Sequence, residues 1–178
     1  EAGVTKPLLY AYFGNKDRLY EACMEPAGEA LVEAVIAGLD EAENAADALA
    51  RGDRAFFAYV DSDRDAWRVL FDETLPAGGP MATRAAAYRT RITDLLGESF
   101  GELLTDEQRA SPQTVVVIEA LSVSLMAAAE QLARWWLRTG ALTAEQAADL
   151  LIATVAPGLA RVAAMEPTNT TTPEEQTR

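Results

Sequence analysis

The sequence predicts an all-α protein, a bundle of helices, on three observations. Alanine and leucine dominate a composition that is 49% hydrophobic and 24% charged, and both residues lose little side-chain freedom in a helix. No stretch alternates apolar and polar residues convincingly, as a half-buried strand would. Glycine, proline and capping residues divide the 178 residues into helix-sized segments. The length suits one good-sized domain, or a small module attached to a larger one.

The first two predicted helices lie near the start of the chain. The first begins after Thr5, whose hydroxyl can cap it, tolerates Pro7 in its first turn and ends near residue 13. Gly14 breaks that helix, and Asn15 is a favourable cap for the second. The second helix runs to about residue 39, and Pro26 inside it predicts a kink.

Further helices are predicted over about residues 45–59, 64–74, 81–104, 113–138 and 144–165. Residues 76–80 form a loop, and residues 105–112 form a second break because they are polar and end in proline. Gly140 stops the helix over 113–138, and Thr143 with Gln146 forms a capping box for the last one. The tail over 167–178 is predicted to be disordered.

Charge is unevenly distributed along the chain. The formal net charge is −13, which argues against a nucleic-acid binder because such proteins usually carry a basic surface. Residues 1–24 are neutral, however, since Lys6, Lys16 and Arg18 balance three acids in the same segment. The acidic excess therefore lies downstream, where repulsion from DNA would help to hold a small N-terminal contact segment in one orientation.

The residue content argues against an enzyme, a metal site and a cofactor. The sequence has no histidine and a single cysteine, Cys23, so the commonest general base and the commonest metal ligand are missing. It has no glycine-rich phosphate loop and no nucleophile–base pair to nominate. We see no signal peptide and no uninterrupted apolar stretch long enough to cross a bilayer. We therefore expect a soluble, cytoplasmic, non-enzymatic protein without a membrane partner.

Residues 2–22, AGVTKPLLYAYFGNKDRLYEA, carry the most specific signal in the chain. They combine a glycine turn, a short helix and the start of a second capped helix. The short helix presents its N-terminus, a lysine and tyrosine hydroxyls, and these groups favour binding to the phosphates of a duplex. The run closely resembles the turn, recognition helix and following helix of TetR-type transcriptional repressors. The resemblance implies that residues 1–24 are the remnant of a helix-turn-helix DNA-binding domain. The two helices that precede the recognition helix are absent, so we expect an N-terminally truncated chain.

The resemblance also assigns candidate DNA contacts, which are Thr5, Lys6, Pro7, Leu8, Tyr10, Tyr12 and Lys16. The first three match positions where the recognition helix enters the major groove, the tyrosines match rings at or beneath phosphates, and Lys16 matches a phosphate contact. Leu8 departs from the small or hydroxylated residue common at its position and could touch a thymine methyl group. The alternative for Tyr12 is a core aromatic.

Residues 25–166 are expected to form a helical ligand-binding and dimerisation domain. The helix over 113–138 is apolar nearly all round and the last helix repeats this trait, so both must be covered on several sides. We infer a four-helix bundle formed with a second copy in a two-fold homodimer, as the resemblance also implies. The candidate dimer residues are Ala128, Leu132, Leu151, Val155 and Leu159.

The resemblance places a ligand pocket among the central helices, where aromatic residues cluster. The candidate lining residues are Phe57, Trp67, Phe71, Tyr88, Glu119, Met126 and Trp135. Plain core or interface packing is the alternative for each aromatic. Glu119 is unusual as a carboxylate within an apolar run, and it could pair with Arg89 or Arg91, face the dimer edge or contact a polar group of the ligand. The expected ligand is small and hydrophobic or amphipathic.

These features predict a TetR-type repressor that binds palindromic operator DNA as a dimer and is released by a small molecule in its helical core. The ligand would favour a conformation in which the second helix moves the two recognition helices out of register with successive grooves. The alternative is a helical dimerisation or interaction module, or a regulator that senses no small ligand. A well-formed apolar cavity would favour the sensor, and a solid core would favour the alternative.

Overall fold

The computed structural model of the protein describes residues 5–40, 42–71, 78–102 and 104–163, without the side chains at 6, 10, 45 and 159–163. Within these ranges the regular structure is helical throughout, which confirms the all-α prediction. The helices are α1 (Lys6–Phe13), α2 (Lys16–Leu39), α3 (Ala45–Ser62), α4 (Arg64–Phe71), α5 (Pro80–Glu102), α6 (Asp106–Ala110), α7 (Pro112–Thr139) and α8 (Ala144–Ala163). The tail predicted to be disordered, 167–178, lies outside the described residues.

The predicted helix boundaries are confirmed where local capping sets them. The backbone N–H of Arg18 donates to Asn15 Oδ1 at 2.9 Å, so Asn15 caps α2. Gly140 ends α7 with a φ of 62°, a left-handed conformation that glycine adopts without steric cost. Thr143 and Gln146 form the predicted capping box, in which each backbone N–H donates to the other side chain, at 2.9 and 3.2 Å.

The break predicted over residues 105–112 contains a short helix, α6, that the sequence analysis missed. Thr105 and Gln108 form a second capping box at its start, and this local pairing stabilises a helix of only 5 residues. Pro112 does not close the break but begins α7, because a proline in the first turn removes only an N–H that has no partner within the helix.

The hydrophobic core joins residues of α2, α3, α4, α5, α7 and α8. The helix α3 packs against both α2 and α8, while α5 packs against both α2 and α7. Leu31 of α2, Phe57 of α3 and Ile92 of α5 are all buried in this core, and burying each such side chain contributes about 1.5–3 kcal/mol. The short helix α1 packs against α2, so α2 connects the N-terminal helix to the core.

Two tyrosine hydroxyls fasten α2 to its neighbours on either side of Pro26. Tyr59 of α3 donates to the backbone oxygen of Ala27 at 2.7 Å, and Tyr88 of α5 donates to that of Glu25 at 3.4 Å. The ring of Tyr88 lies directly on the backbone at Gly28, where a Cβ atom would come within 2.2 Å of the ring. Glycine therefore permits this close approach, and α2 continues through Pro26 as one helix.

Candidate functional site

The helix α1 exposes one face and turns the other towards α2. Leu8 is 59% exposed and Tyr12 is 84% exposed, and with Thr5 they follow the three- and four-residue spacing of one helical face. Leu9 and Phe13 are half-buried on the opposite side. The core alternative for Tyr12 is therefore wrong, because the ring projects from the helix and only its edge contacts Phe13, at a centroid distance of 4.9 Å.

Two of the remaining candidate DNA contacts are also exposed. Pro7 in the first turn of α1 and Lys16 in the first turn of α2 are both exposed. The side chains of Lys6 and Tyr10 lie outside the described residues. The described part of the segment thus presents a hydroxyl, an apolar side chain, a phenol and an ammonium group to solvent, a combination that can contact phosphates and base edges.

Most of the candidate pocket residues pack in the hydrophobic core. Phe57, Trp67, Phe71, Tyr88 and Met126 are all buried. The rings of Trp67 and Phe71 contact each other at a centroid distance of 4.4 Å. Of these five, Met126 lines the small cavity described below. The core-packing alternative therefore describes the aromatic residues of this set.

The prediction that Trp135 lines a pocket is wrong. Trp135 is 39% exposed, whereas the adjacent Trp136 is 2% exposed. Trp136 lies 6.0 Å from the ring of Phe57 and donates its indole N–H to the backbone oxygen of Leu142 at 2.6 Å. Adjacent residues on a helix point about 100° apart, so only one of the two tryptophans can face the core, and packing against α3 selects Trp136.

Of the three alternatives for Glu119, pairing with Arg89 or Arg91 is wrong, and a place at the dimer edge stays a prediction. Glu119 is exposed on α7. Arg89 instead pairs with Glu130, and Arg91 pairs with Glu29 on α2 at 2.8 Å. The carboxylate that α7 does bury belongs to Glu130, which the sequence analysis missed. The sequence feature that could have revealed Glu130 is its position one turn after Met126, which places it on the inward face of the same helix.

Glu130 ties three helices together through two arginines. It is 6% exposed and accepts from Arg89 of α5 at both carboxylate oxygens, at 2.6 and 2.9 Å. It also accepts from Arg134 one turn further along α7, and Arg134 in turn donates to the backbone oxygen of Phe71 at the end of α4 at 3.0 Å. The Arg89 guanidinium lies 4.8 Å from the centre of the Phe71 ring. This cluster locks α4, α5 and α7 together.

A second buried acid, Asp53 of α3, has no comparable partner. It is 5% exposed, and its Oδ2 atom accepts no hydrogen bond from the described part of the chain. Burial raises the pKa of Asp53 from 3.8 to about 7, because a carboxylate loses its hydration in an apolar surrounding. The sequence analysis missed Asp53, although Leu49, Asp53, Phe56 and Val60 recur at helical spacing and place an acid on an apolar stripe.

Asp53 lines a small cavity between α2, α3, α5 and α7. The cavity has a volume of about 10 Å³, which is room for one water molecule at most. Its lining side chains are apolar apart from Asp53, and the residues are Val35, Gly52, Asp53, Phe56, Ile92, Leu96, Leu125, Met126 and Ala129. Four helices and one carboxylate therefore meet at a point where the core is not completely filled.

A larger open groove of about 250 Å³ runs between α2 and α5. It contains none of the predicted site residues, and its lining residues are Ile36, Leu39, Asp40, Ala42, Leu95, Glu98, Ser99 and Glu102. In the ranges that the structure describes, no group of three or more cysteine, aspartate and glutamate residues is placed to hold a metal ion.

An apolar surface runs along the outer side of α7 and α8, and we call it the flank. Its exposed residues on α7 recur at three- and four-residue steps: Val116, Ala120, Val123, Ala127, Gln131 and Trp135. Leu150 of α8 adds to it and is 50% exposed. Contiguous apolar surface on a folded chain marks a site of association.

The candidate dimer residues lie only partly on the flank. Ala128, Leu132 and Val155 are half-buried against the core, and the side chain of Leu159 is outside the described residues. Leu151 is 5% exposed, so its assignment to a dimer surface is wrong. The helix α8 packs on α3, and this contact turns Leu151 inward and leaves Leu150 outside.

The helix α7 is long and apolar enough to cross a membrane by length and composition, with a mean hydropathy of 1.6. Only 28% of its most apolar segment is buried within the chain. One such helix is a weak membrane signal, because a helix that packs in the core of a soluble protein meets the same criteria. The packing of α7 on α5 and α8 accounts for part of its apolar surface, and the flank is the remainder.

Known proteins match this chain at the level of family model, sequence and fold. Residues 45–158 match a family described as tetracyclin repressor-like, C-terminal domain, and residues 1–23 match one described as bacterial regulatory proteins, tetR family. The chain is 26% identical over 136 residues to the HTH-type transcriptional activator FasR of Mycolicibacterium smegmatis, covering 76% of this chain and 59% of that protein. It therefore spans about three fifths of the length of that relative.

The fold is similar to the crystal structure of a TetR-like transcriptional regulator from Rhodococcus sp. RHA1. The TM-score is 0.69 at 27% sequence identity, and the likeness covers 88% of this chain and 79% of that one. The helical arrangement and the sequence thus agree on the same class of protein.

Proposed function

Since the chain belongs to the TetR family of bacterial transcriptional regulators, we propose that it binds palindromic operator DNA as a homodimer through α1 and represses transcription. A small molecule in the helical core releases it from the operator. The observation that carries this proposal is the two-sided α1, whose back packs on α2 while Thr5, Leu8 and Tyr12 are left to solvent.

The composition of the exposed α1 face supports groove binding. An exposed leucine and an 84% exposed tyrosine on one short helix leave apolar surface in water unless a partner covers it. Base edges and thymine methyl groups in a major groove offer such cover, and Lys16 lies next to the helix where a phosphate would run. The rest of the acidic chain disfavours other contacts with DNA.

The flank supports a two-fold dimer. Two helices whose exposed residues are mainly apolar or small can pack against the same helices of a second copy, which buries both surfaces at once. A two-fold dimer then presents two α1 helices to the two halves of a palindromic site.

The helix α2 connects the core cavity to α1. Val35 of α2 lines the core cavity. The hydrogen bonds from Tyr88 and Tyr59 to the backbone oxygens of Glu25 and Ala27 lie between that cavity and α1 along the helix. A ligand that enlarges the cavity would displace α2 from α3 and α5, and α1 would move with it. Ligand binding and DNA binding are then coupled, and the coupling acts in both directions.

The direction of regulation is repression in this proposal, because an operator-bound dimer blocks transcription by occupancy alone. The matched relative FasR is described as an activator. A reporter gene under the operator distinguishes repression from activation. Loss of the regulator raises expression from a repressed promoter and lowers expression from an activated one.

The small size of the cavity favours one second candidate, a regulator or interaction module that senses no small ligand. A volume of about 10 Å³ holds no organic molecule unless the helices separate. An unliganded protein whose operator affinity is unchanged by every molecule that its core binds would fit this candidate and contradict ligand control.

We predict that Lys16→Ala weakens operator binding uniformly across DNA sequences, because it removes a phosphate contact and no base contact. In the natural protein the slope of log affinity against log salt should fall by about one for each subunit. Fluorescence anisotropy over a salt series measures both quantities. The matched control is Arg138→Ala, which removes an exposed cation from the end of α7; equal behaviour of the two variants would contradict the assignment of Lys16.

We predict that Val123→Asp converts the dimer to a monomer. Val123 is 54% exposed in the single chain, so the substitution leaves the fold intact, whereas a charge buried in an apolar interface costs several kcal/mol. The dimer dissociation constant should rise about a hundredfold or more, as measured by sedimentation velocity. Ala58→Asp, on the exposed side of α3, is the control, and a Val123→Asp protein that remains dimeric would place the interface elsewhere.

A further inference from the structure

We propose that Asp53 is the recognition group of the core cavity and that the molecule bound there carries a cationic nitrogen on an apolar body. This deepens the proposed function, since it rests on control of the regulator by a core ligand. It assigns a chemical class to that ligand.

Asp53 stands out because its surroundings leave it unsatisfied. The other buried acid on the core side, Glu130, accepts from two arginines, whereas Asp53 lines the cavity with an oxygen that accepts from no described donor. Buried polar groups in native proteins are almost always hydrogen-bonded, so an unpartnered carboxylate oxygen on a cavity wall is a candidate ligand contact. The cavity itself has room for one water molecule at most, so an organic ligand that donates to Asp53 must separate the surrounding helices as it enters.

The charge of Asp53 selects the class of donor. The lining of the cavity contains no other titratable residue, so an ammonium or amidinium group would meet one carboxylate and no competing cation. A carboxylic acid would face like charge in an apolar site and is disfavoured. A neutral hydroxyl could donate a hydrogen bond, but a charge-assisted bond is about twice as strong.

The remaining lining residues select the body of the ligand. Phe56, Leu125 and Met126 offer an aromatic and two flexible aliphatic surfaces, and methionine adapts readily to irregular shapes. The ring of Phe56 can also stabilise a nearby cation through its face. Ser122, which is 1% exposed and whose hydroxyl has no described partner, lies one turn before Met126 on α7. It does not line the cavity, so Asp53 supplies the polar contact that the lining offers.

The test uses three probes with one body: phenethylamine, 2-phenylethanol and phenylacetate. Each is titrated at pH 8 into the natural protein without DNA, and binding is followed by NMR on the isotope-labelled methyl group of Met126. The variants are Asp53→Asn, which keeps the shape and removes the charge, and Asp94→Asn, which removes an exposed charge from α5. We expect the amine to bind the natural protein at least about tenfold more tightly than the alcohol. The acid should bind most weakly.

Asp53→Asn should reduce the preference for the amine to less than about threefold, and Asp94→Asn should leave it unchanged. Absence of amine binding at millimolar concentration, equal affinity for amine and alcohol, or a preference that survives in Asp53→Asn would each overturn the assignment of the ligand class. Operator binding, measured in a separate experiment, tests the regulatory role. Amine binding through Asp53 without any change in operator affinity would contradict ligand control and leave the site intact.

Discussion

Asp53→Asn is expected to stabilise the protein at pH 8 by up to about 4 kcal/mol, and the gain is expected to vanish towards pH 4. Burial raises the pKa of Asp53 from 3.8 to about 7. Between these values the folded chain keeps a proton that the unfolded chain releases, so the natural protein loses stability as the pH rises from about 4 to 7. Asparagine carries no charge at any pH and avoids this loss.

Urea unfolding at pH 5, 6, 7 and 8 measures the effect, with the difference between variant and natural protein growing with pH. Asp94→Asn is the control, because Asp94 is exposed on α5 and a solvated carboxylate gives little difference. A constant difference between the two proteins across this range, or a natural protein that gains stability as the pH rises, would show that Asp53 does not ionise in a desolvated site.

A stabilising substitution at Asp53 would also bear on function. Natural proteins retain destabilising groups at functional sites, and a buried acid in a cavity is a common example of such a group. We therefore expect greater stability and loss of amine preference to appear together in Asp53→Asn. The ligand, once bound, would supply the partner that the carboxylate lacks.

Glu130→Ala is expected to lower the free energy of unfolding by about 3–5 kcal/mol, the cost of breaking a buried ion pair from one side. Glu130 is 6% exposed and accepts hydrogen bonds from Arg89 and Arg134. Its removal leaves both guanidinium groups near the end of α4 without their anion. The contacts that hold α4 against α5 and α7 should weaken with it.

Chemical denaturation measures this loss, and two variants sharpen its interpretation. Glu33→Ala shortens an exposed glutamate on α2 and should change stability by less than about 0.5 kcal/mol. Glu130→Gln has the same shape and keeps one of the two acceptor oxygens, so it should cost less than Glu130→Ala, which keeps neither. A Glu130→Ala protein as stable as Glu33→Ala would mean that the arginines find other partners or water.

The helices and their ends could be predicted from the sequence because their causes are local. Asn15 caps α2 and Gly140 ends α7 through groups that lie within a few residues of each boundary. The N-terminal segment was equally predictable, since the pattern over residues 2–22 specifies a short helix with a polar start and an apolar back. Local chemistry thus determined the all-α class, most of the element boundaries and the family.

Which side of each helix turns towards the core could not be predicted, because it depends on which partner the helix packs against. The apolar helices α7 and α8 offer core residues on several sides, so their sequences did not choose between Trp135 and Trp136 or between Leu150 and Leu151. A rotation of about 100° separates each pair. Packing of α7 on α5 and of α8 on α3 makes the choice.

The two buried acids, Asp53 and Glu130, show the same difference between what the sequence predicts and what the tertiary structure decides. The sequence contains 28 acidic residues. Helical spacing places Asp53 and Glu130 on apolar faces, but no local property shows that Glu130 has buried arginine partners and that Asp53 Oδ2 has none among the described residues. Arg89 lies 41 residues before Glu130 in the chain, so their contact arises only when α5 and α7 meet. The amino-acid sequence by itself determined where helices form and what kind of protein they make. The tertiary structure alone decided which charges lie in water and which in the core, because desolvation depends on neighbours that are distant along the chain.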